Sequence, residues 1–341
     1  MALTRAILGL LALCAPAMAQ DQIAGFYRGK TISMLIGAPA GGGYDLYARM
    51  VGRHIGKHIP GSPNVVSTNM VGAGGNVMVE YLNAVAAKDG TAMGSVAPGV
   101  FLEPLLGDKT KVRFDPPKLN FIGSANKEIY VCFVRADAPA RTFADVFQQE
   151  VIVGATAEGG STRDMPVLLN NALGAKFKIV SGYQGTRNIV MAIEKGEVQG
   201  QCGTGWSSIN TLHPDWFKNG HARVLAYEGP NTSEDLIAMK VPSTLEFVKT
   251  DEQRQILDLV YSQTTFGRPF MTAAEVPRER VEALRTAFDA TMRDPAFLEE
   301  AGKIKLDIRP LPGAEVQALI TKVFSTPPEV VEKAKRAMTQ R

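Results

Sequence analysis

Pro39-Ala40-Gly41-Gly42-Gly43-Tyr44-Asp45 follows an apolar run, Ile32-Ser33-Met34-Leu35-Ile36, and precedes a stretch with Leu46, Met50, Val51 and Ile55 near one helical face. The order predicts a strand, a sharp turn and a helix over 44–58. The same succession returns at once. Val65-Val66-Ser67-Thr68 leads into Asn69-Met70-Val71-Gly72-Ala73-Gly74-Gly75-Asn76, then a helical pattern from Val77 to Ala87, the exit Lys88-Asp89-Gly90 and a third strand, 92–96. Glycine lets the backbone turn sharply and leaves its amides bare, so each following helix starts with unpaired donors. Partial positive charge gathers at that end, and its natural occupant is an anion such as a carboxylate. The βαβαβ order predicts a mainly parallel sheet covered by helices, with ligands at the carboxyl ends of its strands.

Working outward, 129–135 reads as a strong strand that opens a second α/β run. Strand 151–154 leads to the turn Glu158-Gly159-Gly160-Ser161-Thr162 and a helix over 164–173. Strand 177–180 leads to Gly182-Tyr183-Gln184-Gly185-Thr186 and a helix over 187–195. Strand 198–202 ends in the turn Gly203-Thr204-Gly205-Trp206, and strand 223–227 carries the chain back. Amphipathic helices follow over 277–293 and 312–323. The length of 341 residues exceeds one usual core, so two α/β domains are expected.

Residues 1–19 have the form of a secretory signal peptide: basic Arg5, an apolar core from Ala6 to Leu13, and Ala17-Met18-Ala19 at the cleavage point. The apolar run is shorter than the roughly 20 residues needed to span a bilayer, and bulky Leu13 before Cys14 argues against a lipoprotein. The expected location is the periplasm. Removing the leader takes Arg5 from 37 basic residues and leaves them nearly balanced against 34 acidic ones, with no basic block suited to nucleic acid or a membrane surface. Cys132 and Cys202 then remain, either as a disulfide or as two buried thiols.

Several side chains near the turns admit two readings. Asp45 either bonds amides in the first turn of its helix or orders a water or hydroxyl at the ligand. Ser161 and Thr162 either cap their helix or face a ligand oxygen. Arg163 and Arg187 fall near helix starts, where the dipole disfavours a cation; each either points to solvent or grips a carboxylate. Tyr44, Tyr183 and Trp206 either wall a pocket or pack as ordinary aromatics. His54 and His58 share a face at i, i+4 spacing, but no third metal ligand is evident, so a solvated face is expected. Neither a G-x-S-x-G elbow nor a P-loop occurs.

Taken together, Tyr27-Arg28-Gly29-Lys30-Thr31-Ile32, the two glycine turns, Lys88-Asp89-Gly90, Gly159-Gly160-Ser161-Thr162, Gly182-Tyr183-Gln184-Gly185 and Lys195-Gly196-Glu197-Val198 resemble the substrate-binding proteins of tripartite tricarboxylate transporters, the Bug-type receptors. The resemblance implies a Venus-flytrap periplasmic-binding-protein fold of type II, with one domain formed by 20–127 and 226–341 and the other by 128–225. It implies a receptor, not an enzyme, that closes on a small carboxylate and presents it to a membrane permease. No cofactor and no metal are expected, and the chain is expected to be a monomer. By position, the ligand would meet Ala40, Gly41, Gly42, Tyr44, Asp45, Asn76 and Ser95 from one domain. From the other it would meet Ser161, Thr162, Arg163, Tyr183, Gln184, Gly185 and Trp206. Ala40 and Tyr44 stand where the family more often has Pro and Thr, Arg163 follows the serine turn, and Cys202-Gly203 replaces a frequent acidic or aromatic pair. These departures leave a di- or tricarboxylate and an aromatic acid both open as ligands. The competing readings are an exported hydrolase or isomerase using the same cleft, and a sensory partner of a membrane kinase.

Overall fold

The apolar runs assemble into two sheets rather than one. The computed structural model describes residues 21–107 and 112–339; the expected signal peptide lies outside the described residues. In the first sheet β1 (Thr31–Ile36) is flanked by β2 (Asn64–Asn69) and β3 (Ala92–Ser95), both parallel to it. β4 (Asn120–Ser124) joins through β10 (Pro269–Thr272), and β11 (Leu311–Pro312) closes that edge, giving the order β11-β4-β10-β3-β1-β2. The second sheet, in the order β7-β6-β8-β5-β9, is built from β5 (Tyr130–Arg135), β6 (Val151–Ala155), β7 (Phe177–Ser181), β8 (Gly200–Gly205) and β9 (Ala222–Glu228). Only β10 and β11 run against the other strands of the first sheet, and only β5 against those of the second. That polarity collects the carboxyl ends of most strands on one side of each sheet.

Helices follow the strands as the periodicity predicts. α1 (Gly43–Ile55) buries Tyr47, Met50, Val51 and Ile55. α2 (Asn76–Ala84) buries Met78, Val79 and Leu82. α3 (Ser161–Leu173) and α4 (Thr186–Lys195) cover the second sheet, and both end at glycines in the left-handed conformation. Gly203-Thr204-Gly205, expected as a turn, instead continues β8, and α5 (Trp206–Leu212) starts directly after it. The later chain forms α6 (Asp251–Thr265), α7 (Arg278–Thr291), α8 (Pro295–Lys303), α9 (Gly313–Phe324) and α10 (Pro328–Met338). α10 packs Val330 and Val331 into one apolar cluster with Met165 and Leu168 of α3 and Leu257 of α6.

His54 and His58 are not on a solvated face. His54 Nε2 lies 2.7 Å from Glu300 of α8, and His58 Nε2 lies 2.8 Å from Asp294, whose other oxygen caps α8. The histidine spacing pins α1 to α8. Cys132 and Cys202, on the adjacent strands β5 and β8, are joined by a disulfide.

The chain passes between the sheets at two places that meet in a buried ion pair. Glu128 precedes β5 and Arg268 precedes β10; the two side chains are 1% and 2% exposed and bonded to each other. Ser208 of α5 accepts a further bond from Arg268 at 2.8 Å, and the guanidinium lies 4.2 Å from the Tyr44 ring centroid and 4.9 Å from that of Tyr47. Such a pair costs desolvation to form but leaves a bare buried charge if one member is removed. We therefore expect Arg268→Met to lower stability by about 3–5 kcal/mol in denaturant unfolding. Pairing it with Glu128→Gln should restore part of the loss; equal losses in the single and double variants would refute the coupling.

Two buried carboxyls predict a second dependence. Burial at the end of β9 pushes Glu228 up to about 8, against the opposing Gly203 N–H bond. Burial pushes Asp164 up to about 7, with the Arg163 guanidinium opposing. For Glu228 the unfolded chain releases its proton near 4.5 and the folded one near 8, so stability falls across that window as pH rises. Each such group contributes a slope of about 1 kcal/mol per pH unit. Glu228→Gln should flatten the decline in unfolding free energy between these limits; an unaltered slope would place the titration elsewhere.

Candidate functional site

Among the helices that start at glycines with no side-chain cap are α1 after Gly42, α3 after Gly160 and α4 after Gly185. All three beginnings line one cavity of about 430 Å³ between the sheets. The turn Gly72–Gly75, which opens α2, lines it as well. Each lining turn follows the carboxyl end of a strand: β1, β2, β3, β6 or β7. Bare first-turn amides and dipole ends from both sheets therefore face one space, which suits a negative ligand.

The glycines are needed for close approach. Gly41 and Gly74 have φ of +79° and +66°, the left-handed region that side chains disfavour. A Cβ on Gly74 would sit 3.3 Å from the Glu158 carbonyl oxygen across the cleft, tighter than ordinary contact.

The expected residues divide. Ala40, Gly42, Tyr44, Ser161, Thr162, Tyr183, Gln184 and Gly185 share the cavity wall. Gly41 stands between two of them, but its amide donates to Asp45 Oδ2 at 2.9 Å and is spent on the turn. Asp45 is a correction: buried beneath the turn, it accepts from Gly41 N, from Arg49 Nε at 2.9 Å and from Asn69 Nδ2 at 2.8 Å. It holds the loop in shape and does not line the cavity. Asn76 and Arg163 are placed on a different hollow of about 510 Å³. Arg163 donates to the Met338 carbonyl at 3.2 Å and to Asp164 at 3.1 Å, so it ties α3 to the C-terminal helix. Ser95 is enclosed at the end of β3. Trp206 packs on Phe217 with centroids 5.0 Å apart and faces a third hollow, because β8 runs on where a turn was expected.

Sequence reasoning missed Thr156, the first residue beyond β6; its position at a strand's carboxyl end was the available signal. Thr156 N donates to Thr162 Oγ1 at 3.0 Å and the two hydroxyls bond at 2.8 Å, which binds the 156–162 loop to itself. Tyr44 bonds the Tyr130 hydroxyl at 3.2 Å, joining the two sheets behind the cavity; burial raises both phenols.

Electrostatics separates this cavity from two other hollows. Arg187 is the one charged side chain on its described wall. The larger hollow, about 980 Å³, carries Glu128, Glu234, Asp235 and Asp307 against Lys218, Lys305 and Arg309. The 510 Å³ hollow carries Glu103, Glu158 and Asp164 against Arg163 and Lys335. Of these three hollows only the cleft has a described wall without a carboxylate, Asp45 and Asp164 lying behind it in the first turns of α1 and α3.

No protein-family model matches the chain, and no curated protein matches it by sequence. Solved structures do match in fold. The periplasmic binding protein BugD superposes with a TM-score of 0.70 at 19% identity, over 91% of this chain and 98% of its own. A Rhodopseudomonas palustris protein with adipate gives 0.69 at 16%, over 89% and 97%. MatC from the same organism, with bound malate, gives 0.65 at 16%, over 89% and 99%. The fold is that of the two-lobed periplasmic binding proteins. The cavity bordered by the uncapped helix starts lies between the two sheets of this fold.

The hydroxyls of the serine turn yield a prediction. Thr162→Ala removes the bonds to Thr156 and should lower stability by about 1 kcal/mol. Ser161→Ala, whose hydroxyl caps nothing, should leave the unfolding midpoint unchanged. The reverse ranking in thermal unfolding would mean that the two hydroxyls have exchanged roles.

Proposed function

We propose that this chain is a periplasmic solute receptor of the Bug type. Its lobes are 20–127 with 226–341, and 128–225; it captures a small organic carboxylate between them and passes it to a tripartite tricarboxylate-type permease. One observation carries the reading: three uncapped helix starts, drawn from both lobes, border a cavity whose wall holds no carboxylate. A carboxylate there replaces water on bare amides, and each charge-assisted bond contributes roughly 1.5–3 kcal/mol. Because the donors come from both lobes, the shut form binds more tightly and ligand shifts the population toward it. The malate and adipate held by two proteins of the same fold support this class of ligand.

The cavity wall also suits binding over catalysis. Among the described residues it contains no histidine, cysteine, lysine or acid to move a proton or attack a carbonyl; its protic side chains are hydroxyls, the amides of Gln184 and Asn188 and the Arg187 guanidinium. Periplasmic location follows from the signal peptide read at 1–19. Among the described residues no helix is long and apolar enough to cross a membrane.

Isothermal titration against mono-, di-, tricarboxylic and aromatic acids tests the proposal. We expect one-to-one binding of at least one acid at micromolar or tighter affinity, with the ligand recovered unaltered. Turnover of the bound acid, or silence across all four classes, would overturn it.

A further inference from the structure

Resting on the receptor reading above, the geometry points to Arg187 as the residue that selects the ligand: we propose that it grips a second acidic group, so that the solute is an aliphatic diacid rather than a monoacid or an aromatic acid.

Arg187 is the second residue of α4, where the helix dipole opposes a cation. Among the described residues its guanidinium has no hydrogen bond and no ion pair. It stands exposed on the cleft wall, and its Nη1 lies 3.6 Å from where a Cβ on Gly41 would be. The side chain therefore extends from the second lobe over the bare glycine turn of the first, at van der Waals distance from the Gly41 Cβ position. A guanidinium presents paired donors that fit a carboxylate edge-on. An anionic group held here offsets the unfavourable dipole and bridges the lobes, while the helix starts of α1 and α3 remain for the first carboxylate.

The aromatic alternative lacks its walls. Trp206 faces another hollow and packs on Phe217. Tyr44 has the Arg268 guanidinium over its ring and its hydroxyl on Tyr130. Tyr183 lines the cleft, but its hydroxyl is bonded to Glu197 and its ring packs against the apolar cluster of Ile189 and Val198.

The test is titration calorimetry with matched straight-chain pairs: succinate and butyrate, glutarate and pentanoate, adipate and hexanoate, with benzoate alongside. In the parent protein at least one diacid should bind tenfold to a hundredfold more tightly than its monoacid. In Arg187→Gln that ratio should fall toward one, and in Arg187→Lys an intermediate ratio should survive, since the charge remains and the paired geometry is lost. An unchanged unfolding midpoint shows that the variants are folded. Diacids binding no better than monoacids, benzoate binding best, or a ratio unaltered in Arg187→Gln would each overturn the assignment and leave the receptor reading standing. Silence of monoacids, diacids and benzoate alike would overturn the assignment, and silence of tricarboxylic acids as well would overturn both.

Discussion

The contact between Glu128 and Arg268 governs how the two halves of this molecule sit together. Each residue lies where the chain passes from one sheet to the other, and neither reaches solvent. An isolated buried charge is expensive, so removing the crossing segments from each other would expose a cost that neither half could meet alone. Tyr44 and Tyr47 of α1 and Ser208 of α5 surround the guanidinium. The pair is therefore tied to the first residues of α1, which also form the cavity wall. Lobe arrangement and site geometry share one anchor.

From that anchor, strand polarity does the rest. Most strands of both sheets point their carboxyl ends at the same interlobe space, and each helix begins where its strand stops. Glycines at these junctions serve two purposes. They allow turns with positive φ, and they keep side chains out of the space between opposing backbones. Asp45 supports the first turn from beneath, and the Thr156–Thr162 bonds support the serine turn. Polar side chains thus shape the loops, and the helix starts at Gly42, Gly160 and Gly185 are left without a side-chain cap.

Much of this was legible along the chain, because periodicity and glycine turns are local signals. Strands β1 to β3 and β5 to β7, with the helices after their glycine turns, fall close to their expected limits. Elements with weaker local marks were not read. β4 and β10 are short, mixed in composition and defined by antiparallel partners far away in sequence, and α6 and α10 owe their place to each other. The structure sets Ala40, Gly42, Tyr44, Ser161, Thr162, Tyr183, Gln184 and Gly185 on one cavity wall, and Asp45, Asn76, Ser95, Arg163 and Trp206 off it. One step along a helix rotates a side chain by about 100°, so neighbours in sequence such as Thr162 and Arg163 face different hollows.

By itself the order of residues determined the α/β class and the pairing of strand ends with glycine turns. These follow from backbone freedom and hydrophobic period, which act over a few residues. Only the tertiary structure decided which hydroxyls and charges face the cleft, that both cysteines join, and that Arg187 stands alone among neutral groups. Those outcomes depend on which distant segments pack together. A side chain's partners are then chosen by burial and charge across the whole fold, and no local pattern encodes that choice.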